Sequence, residues 1–96
     1  MGTPNTYTYE LPIDKQRLEQ DARTMARKEV QDNYPSIYRV HDEIENHARA
    51  LCELALAATP NVTNDAQAYI TRYTAAYTEA YETEMQVMDA NGRKEV

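Results

Sequence analysis

The sequence predicts an all-α protein: a three-helix antiparallel bundle with an extended N-terminal arm, completed by association with a second copy. Three observations carry this. The punctuating residues, Gly2, Pro4, Pro12, Pro35, Pro60 and Gly92, leave three long stretches free of helix breakers. Each stretch repeats apolar residues at helical spacing. Large aliphatic residues are sparse, and in a chain of 96 residues they make a thin core. A single cysteine, Cys52, forms no internal disulfide, so oligomerisation is the expected supplement.

In chain order, residues 1–12 (the arm, ending TYTYELP) alternate Thr and Tyr and read as extended, and residues 13–91 form one helical domain. The first helix is expected over 14–34, with Asp14 as N-cap and Pro35 as the barrier to continuation. Leu18, Ala22, Met25, Ala26 and Val30 give it a narrow apolar stripe, interrupted by Lys15, Glu29 and Asn33. The second helix is expected over 36–58, capped by Ser36. Its arc of Ile37, Val40, Ile44, Ala48, Leu51, Leu54, Ala55 and Ala58 is the most amphipathic in the chain and places this helix at the centre of the core. The third is expected over 63–90, capped by Thr63 or Asn64 and stopped by Asn91-Gly92, with 92–96 a frayed tail.

The third helix carries an unusual face. The chain has eight Tyr and no Phe or Trp, and Tyr69, Tyr73, Tyr77 and Tyr81 recur at every fourth position. At about 100° per residue they sweep an arc of about 120° that also takes in Ala66, Ile70, Ala76, Ala80, Val87 and Met88. Glu84 falls within the arc, so the sequence sets a carboxylate among phenol hydroxyls, with Tyr77 or Tyr81 as its expected donors. Tyrosine suits half-buried positions and is enriched at protein interfaces. The expectation is therefore an interaction face of Tyr69, Tyr73, Tyr77, Tyr81 and Glu84 through which the chain self-associates, with a homodimer as the simplest assembly.

A net charge of −6 argues against direct binding to nucleic acid or anionic membrane. No stretch is apolar for long enough to span a bilayer or charged-then-apolar in the manner of an export signal, so a cytoplasmic setting is expected. Asn61-Val62-Thr63 matches a glycosylation acceptor only by coincidence in that setting.

Candidate chemistry is weak. His41 and His47 project about 120° apart and cannot share one metal on a straight helix. His41 with Glu45, and Glu43 with His47, read as i,i+4 ion pairs rather than ligand pairs. Cys52, at the edge of the second helix's arc, lacks an orienting group and an oxyanion site, and reads as an inert buried thiol. Glu19, Arg23 and Arg27 form a mixed, solvated flank.

No catalytic residue, cofactor or metal is therefore expected. The sequence reads as a non-enzymatic acidic helical protein acting by protein–protein interaction, an inhibitor, adaptor or accessory factor of the size phages also carry. Its expected partners are itself and another protein. An alternative is a binder of a nucleotide-like ligand, in a pocket of tyrosine rings with Arg49, Arg72, Tyr7 or Tyr9 at an oligomer interface. A lesser one is an acidic mimic of DNA, using Asp42-Glu43-Glu45 and Glu79-Glu82-Glu84.

Overall fold

The structure, a computed structural model, describes residues 14–58 and 66–94. The arm, with Tyr7 and Tyr9, and the candidate caps Thr63 and Asn64 lie outside the described residues. Three helices follow in order: α1, Lys15–Asn33; α2, His41–Ala57; and α3, Ala66–Lys94.

Helix α1 begins at its capping residue. Asp14 Oδ1 accepts the Gln16 backbone N–H at 2.9 Å, which satisfies one of the orphan donors of the first turn. The narrow stripe is the buried one: Leu18, Ala22, Ala26 and Val30 are fully buried, and Met25 packs at their edge.

Helix α2 does not start at Ser36 but at His41, after a connection that α3 holds in place. Tyr34 Oη donates to Asp89 Oδ1 at 2.6 Å, and both Arg39 guanidinium nitrogens donate to the same carboxylate at 3.0 and 3.1 Å. The Tyr38 backbone N–H donates to Tyr81 Oη at 2.9 Å. Locally, the Ser36 N–H bonds to Asn33 O at 2.8 Å and the Ile37 N–H to Pro35 O at 3.0 Å. These turn and tertiary bonds take the groups that one more turn of helix would use, and they outweigh the intrinsic preference of residues 36–40. Asp89→Asn removes the charge that Tyr34 and Arg39 share. It is expected to lower the melting temperature modestly, since Arg39 is half-exposed, and thermal denaturation reads it.

Helix α3 is longer than expected, running through Asn91-Gly92 to Lys94. No glycine among the described residues has a positive φ, so the Asn-Gly pair does not act as a left-handed stop.

The larger correction concerns the centre. It is α3, not α2. Helices α1 and α2 both pack on α3, and no Cα of α1 lies within 8 Å of one in α2. Helix α1 runs parallel to α3, as shown by Arg72 with Glu19 at 3.1 Å near one end and Gln31 with Glu84 at 2.9 Å near the other. Helix α2 runs antiparallel to it: Cys52 lies over Tyr69, and His41 reaches Glu82. Alanines line the seam between α1 and α3, with Ala22 and Ala26 buried on one side and Ala76 and Ala80 on the other.

The apolar arc of α2 is also rotated from its expected position. Ile44, Ala48, Cys52 and Ala55 are buried, whereas Val40 is 56% exposed and Leu54 72% exposed. Cys52, expected at the edge of the arc, is fully buried.

Candidate functional site

The four tyrosines of α3 are not a surface. Tyr69 is 3% exposed and Tyr73, Tyr77 and Tyr81 are each 1% exposed within the single chain. Tyr73, Tyr77 and Tyr81 stack in file, with successive ring centroids 5.9 Å apart. The file lies between the two outer helices. Tyr73 Oη contacts Met25 Sδ of α1 at 3.6 Å, while the Tyr77 ring stands edge-on to His47 of α2 at 5.9 Å. These rings occupy the space where α1 and α2 would meet in an ordinary three-helix bundle, and they account for the separation of the two. The interaction face expected from the sequence is thus the inside of the molecule.

The hydroxyls fare unequally there. Tyr81 Oη accepts from Tyr38, Tyr73 has its weak sulfur contact, and Tyr77 Oη is buried with no hydrogen-bond partner. Burial pushes all three phenols above their ordinary ionisation range. Glu84 does not share their space. It is half-buried against α1, where its carboxylate accepts from Gln31 Nε2, because a helix facing two neighbours gives adjacent positions of one arc different surroundings.

Removing a hydroxyl should therefore have opposite effects one turn apart. Tyr77→Phe deletes an unsatisfied polar atom and is expected to leave the melting temperature unchanged or raise it. Tyr81→Phe strands the Tyr38 N–H and is expected to cost about 1 kcal/mol, measured in the same denaturation series.

The other candidates are dispersed. Arg72 is taken by Glu19 across the α1/α3 seam, and Arg49 lies on exposed α2, bonded to Asn46 at 3.4 Å. No tyrosine lines the hollow to which Arg49 belongs. Cys52 is buried, its Sγ 3.9 Å from Tyr69 O, and burial reinforced by the Glu53 charge pushes its thiol up to about 11. It is a poor nucleophile at neutral pH. Among the described residues no three His, Cys, Asp or Glu side chains are grouped to hold a metal ion, and no helix is long and apolar enough to cross a membrane.

What the fold does bring together is a polar groove between α2 and α3. It encloses about 370 Å³ and is lined by His41 and Glu45 of α2 and by Ala75, Thr78, Glu79, Glu82, Thr83 and Gln86 of α3. A second hollow of about 230 Å³ adjoins it along the same seam, sharing Glu45 and Ala75 and adding Arg49 and Thr74.

His41 bridges the groove's two walls. Its Nδ1 is 2.9 Å from Glu82 Oε2 and its Nε2 is 3.3 Å from Glu45 Oε2. The hydrogen bond to Glu82 raises the imidazole above its ordinary value; the Glu82 and Glu45 charges add to this, and partial desolvation opposes it. A cation at the first residue of a helix is otherwise disfavoured by the backbone dipole, so the two carboxylates are what hold it there. The clamp is complete below the ordinary imidazole value and is lost as pH rises through the raised one.

Thr78, in the lining of the groove, and Thr74, in that of the second hollow, are 4% and 7% exposed, and neither Oγ1 has a hydrogen-bond partner. The sequence did hold a signal for this site. Thr74, Thr78 and Glu82 form a polar file at four-residue spacing beside the tyrosine file. The acidic row expected of a DNA mimic spreads over two faces instead: Glu82 lines this groove, Glu84 lies on the α1 side with Arg23 and Arg27, and Glu79 stands between and lines both hollows. No protein-family model, curated protein or solved structure matches the chain.

Proposed function

We propose that this chain is a non-enzymatic interaction protein, an inhibitor, adaptor or accessory factor, and that it binds another protein along the outer face formed by α2 and α3. The observation that supports this is the groove itself. Glu45 of α2 and Glu82 of α3 hold one titratable group, His41, between them, and Glu79 is also part of the lining. Such a surface favours encounter with a basic partner and discriminates against acidic ones. The exposed side chains of Leu54 and Val87, 72% and 45% exposed, add apolar contact elsewhere on the same two helices. The tyrosine file contributes rigidity to the scaffold instead of contact area.

Affinity capture tests the reading, with the protein and its Glu45→Gln/Glu82→Gln variant compared side by side. A partner retained by the first and lost from the second is the expected result. A ligand binder of the alternative kind would behave differently in a thermal-shift panel of nucleotides and metabolites. It would gain about 2.7 kcal/mol at a hundredfold excess over the dissociation constant, and such a gain with no protein captured would replace this reading.

A further inference from the structure

We infer that α2 is a hinged strap: it lifts off α3 as a unit, pivoting at Val40 while the connection before it stays fixed, and His41 is the latch that holds it closed. The device operates in the free chain.

The reason to open lies under this one helix. Among the described residues, four buried side-chain polar atoms have no hydrogen-bond partner: His47 Nε2, Thr74 Oγ1, Tyr77 Oη and Thr78 Oγ1. All four belong to the contact between α2 and α3. His47 is on α2, and its ring meets that of Tyr77 at 5.9 Å. Thr78 and Thr74 line hollows whose other wall is α2, through Glu45. Each of these groups lost its water on docking without gaining a partner, so each recovers a hydrogen bond when α2 lifts. No atom of α1 is among them. Its seam with α3 is lined by alanines and crossed by Arg72 with Glu19 at 3.1 Å and Gln31 with Glu84 at 2.9 Å.

The pivot is set by where the anchoring stops. Tyr34 and Arg39 bond to Asp89, and the Tyr38 N–H bonds to Tyr81 Oη, so the connection stays on α3. The next residue, Val40, is the N-cap of α2. It has extended backbone, is 56% exposed and offers no side-chain hydrogen bond to the first turn, which leaves orphan N–H groups there.

His41 stands just inside the pivot. Its Nδ1 is 2.9 Å from Glu82 Oε2 across the seam, whereas Cys52 Sγ reaches Tyr69 O only at 3.9 Å. The charged groups about the ring are Glu45 and its sequence neighbours Asp42 and Glu43 on α2, with Glu79 and Glu82 on α3. Arg39 of the connection is bonded to Asp89. These surroundings are acidic, so the latch is closed while the imidazole is protonated and is released as pH rises through its raised value.

Native-state hydrogen exchange of the full chain tests the strap, read amide by amide by NMR between about pH 5.5 and pH 8 and corrected for the intrinsic rate. The amides of residues 45–57 are expected to be protected about tenfold less than those in the middle of α1 and α3. Over that pH range their protection falls by about a further threefold, the size of an exposed ion pair. His41→Gln starts at the lower protection and shows no such fall. Thr78→Val keeps the shape of the side chain and removes the stranded oxygen, so it raises the protection of α2 by about tenfold at both ends of the range. A threonine that merely fills space would not give that gain.

The inference is overturned if the amides of α2 exchange no faster than those of α1 and α3, because the helix then opens only with the whole chain. Lower protection of α2 in Thr78→Val would mean that the hydroxyl is satisfied in the folded state, and would refute the reason for opening. A pH dependence that survives His41→Gln would refute the latch.

Discussion

Tyr77→Ala is expected to destabilise the chain by about 3–5 kcal/mol, the range for truncating a large buried aromatic. Tyr77 is 1% exposed and stands in the middle of the ring file, between Tyr73 and Tyr81 and against His47. Because the backbones of α1 and α2 do not approach each other closely, a helix settling into the vacancy would have to leave its seat on α3. Incomplete collapse puts the cost toward the upper end. Small domains have about 5–15 kcal/mol in total, so a large unfolded fraction at room temperature is expected by circular dichroism. Tyr77→Phe, which keeps the ring and removes only the partnerless hydroxyl, is the control that assigns the loss to volume. Equal stability of Tyr77→Ala and the parent chain would mean that the ring file does not hold the outer helices apart.

The second large effect is alkaline unfolding. Tyr73, Tyr77 and Tyr81 are all held above the ordinary phenol range by burial. An unfolded chain releases their protons from about pH 10 upward, whereas the folded chain keeps them. The native state then binds more protons than the unfolded state, and stability falls as pH rises. Each phenol that stays protonated in the folded chain contributes about 1.4 kcal/mol per pH unit, so Tyr73 and Tyr77 together remove about 3 kcal/mol per unit, and Tyr81 acts in the same direction. Helix content and the phenolate absorbance of these three residues should therefore change in one cooperative step above about pH 11, the buried phenols ionising only as the helices melt. Gradual ionisation of every tyrosine near pH 10 with helix content intact would contradict their burial.

How much of this was legible depended on how local each determinant is. The Asp14 cap is a two-residue affair, and the sequence located it. The stripe of Leu18, Ala22, Ala26 and Val30 follows from helical period alone, and it is buried as read. The centre of the molecule was misplaced for a definite reason. Aliphatic side chains made α2 look the more apolar helix, while the role of α3 rests on ring volume and on alanines that admit a close neighbour. Hydropathy undervalues both. The start of α2 depended on Asp89 and Tyr81, residues far along the chain that hold Tyr34, Tyr38 and Arg39 out of the helix.

The site divided along the same line. His41 with Glu45 is visible as an i,i+4 pair. Glu82 joins them only once α3 folds back antiparallel to α2. Glu84 was expected beside phenol hydroxyls, and instead it meets Gln31 of a helix whose position no local pattern specifies.

The central claim is that the tyrosine file is the interior of one chain, so that binding falls to the outer α2/α3 face. Tyrosine nitration mapped by mass spectrometry over a dilution series tests it most directly. The account predicts that Tyr73, Tyr77 and Tyr81 stay protected at every concentration while Tyr38, 43% exposed, reacts throughout. Protection of Tyr73 and Tyr77 that fades on dilution until they react like Tyr38 would show a face covered by a second copy, and would contradict it.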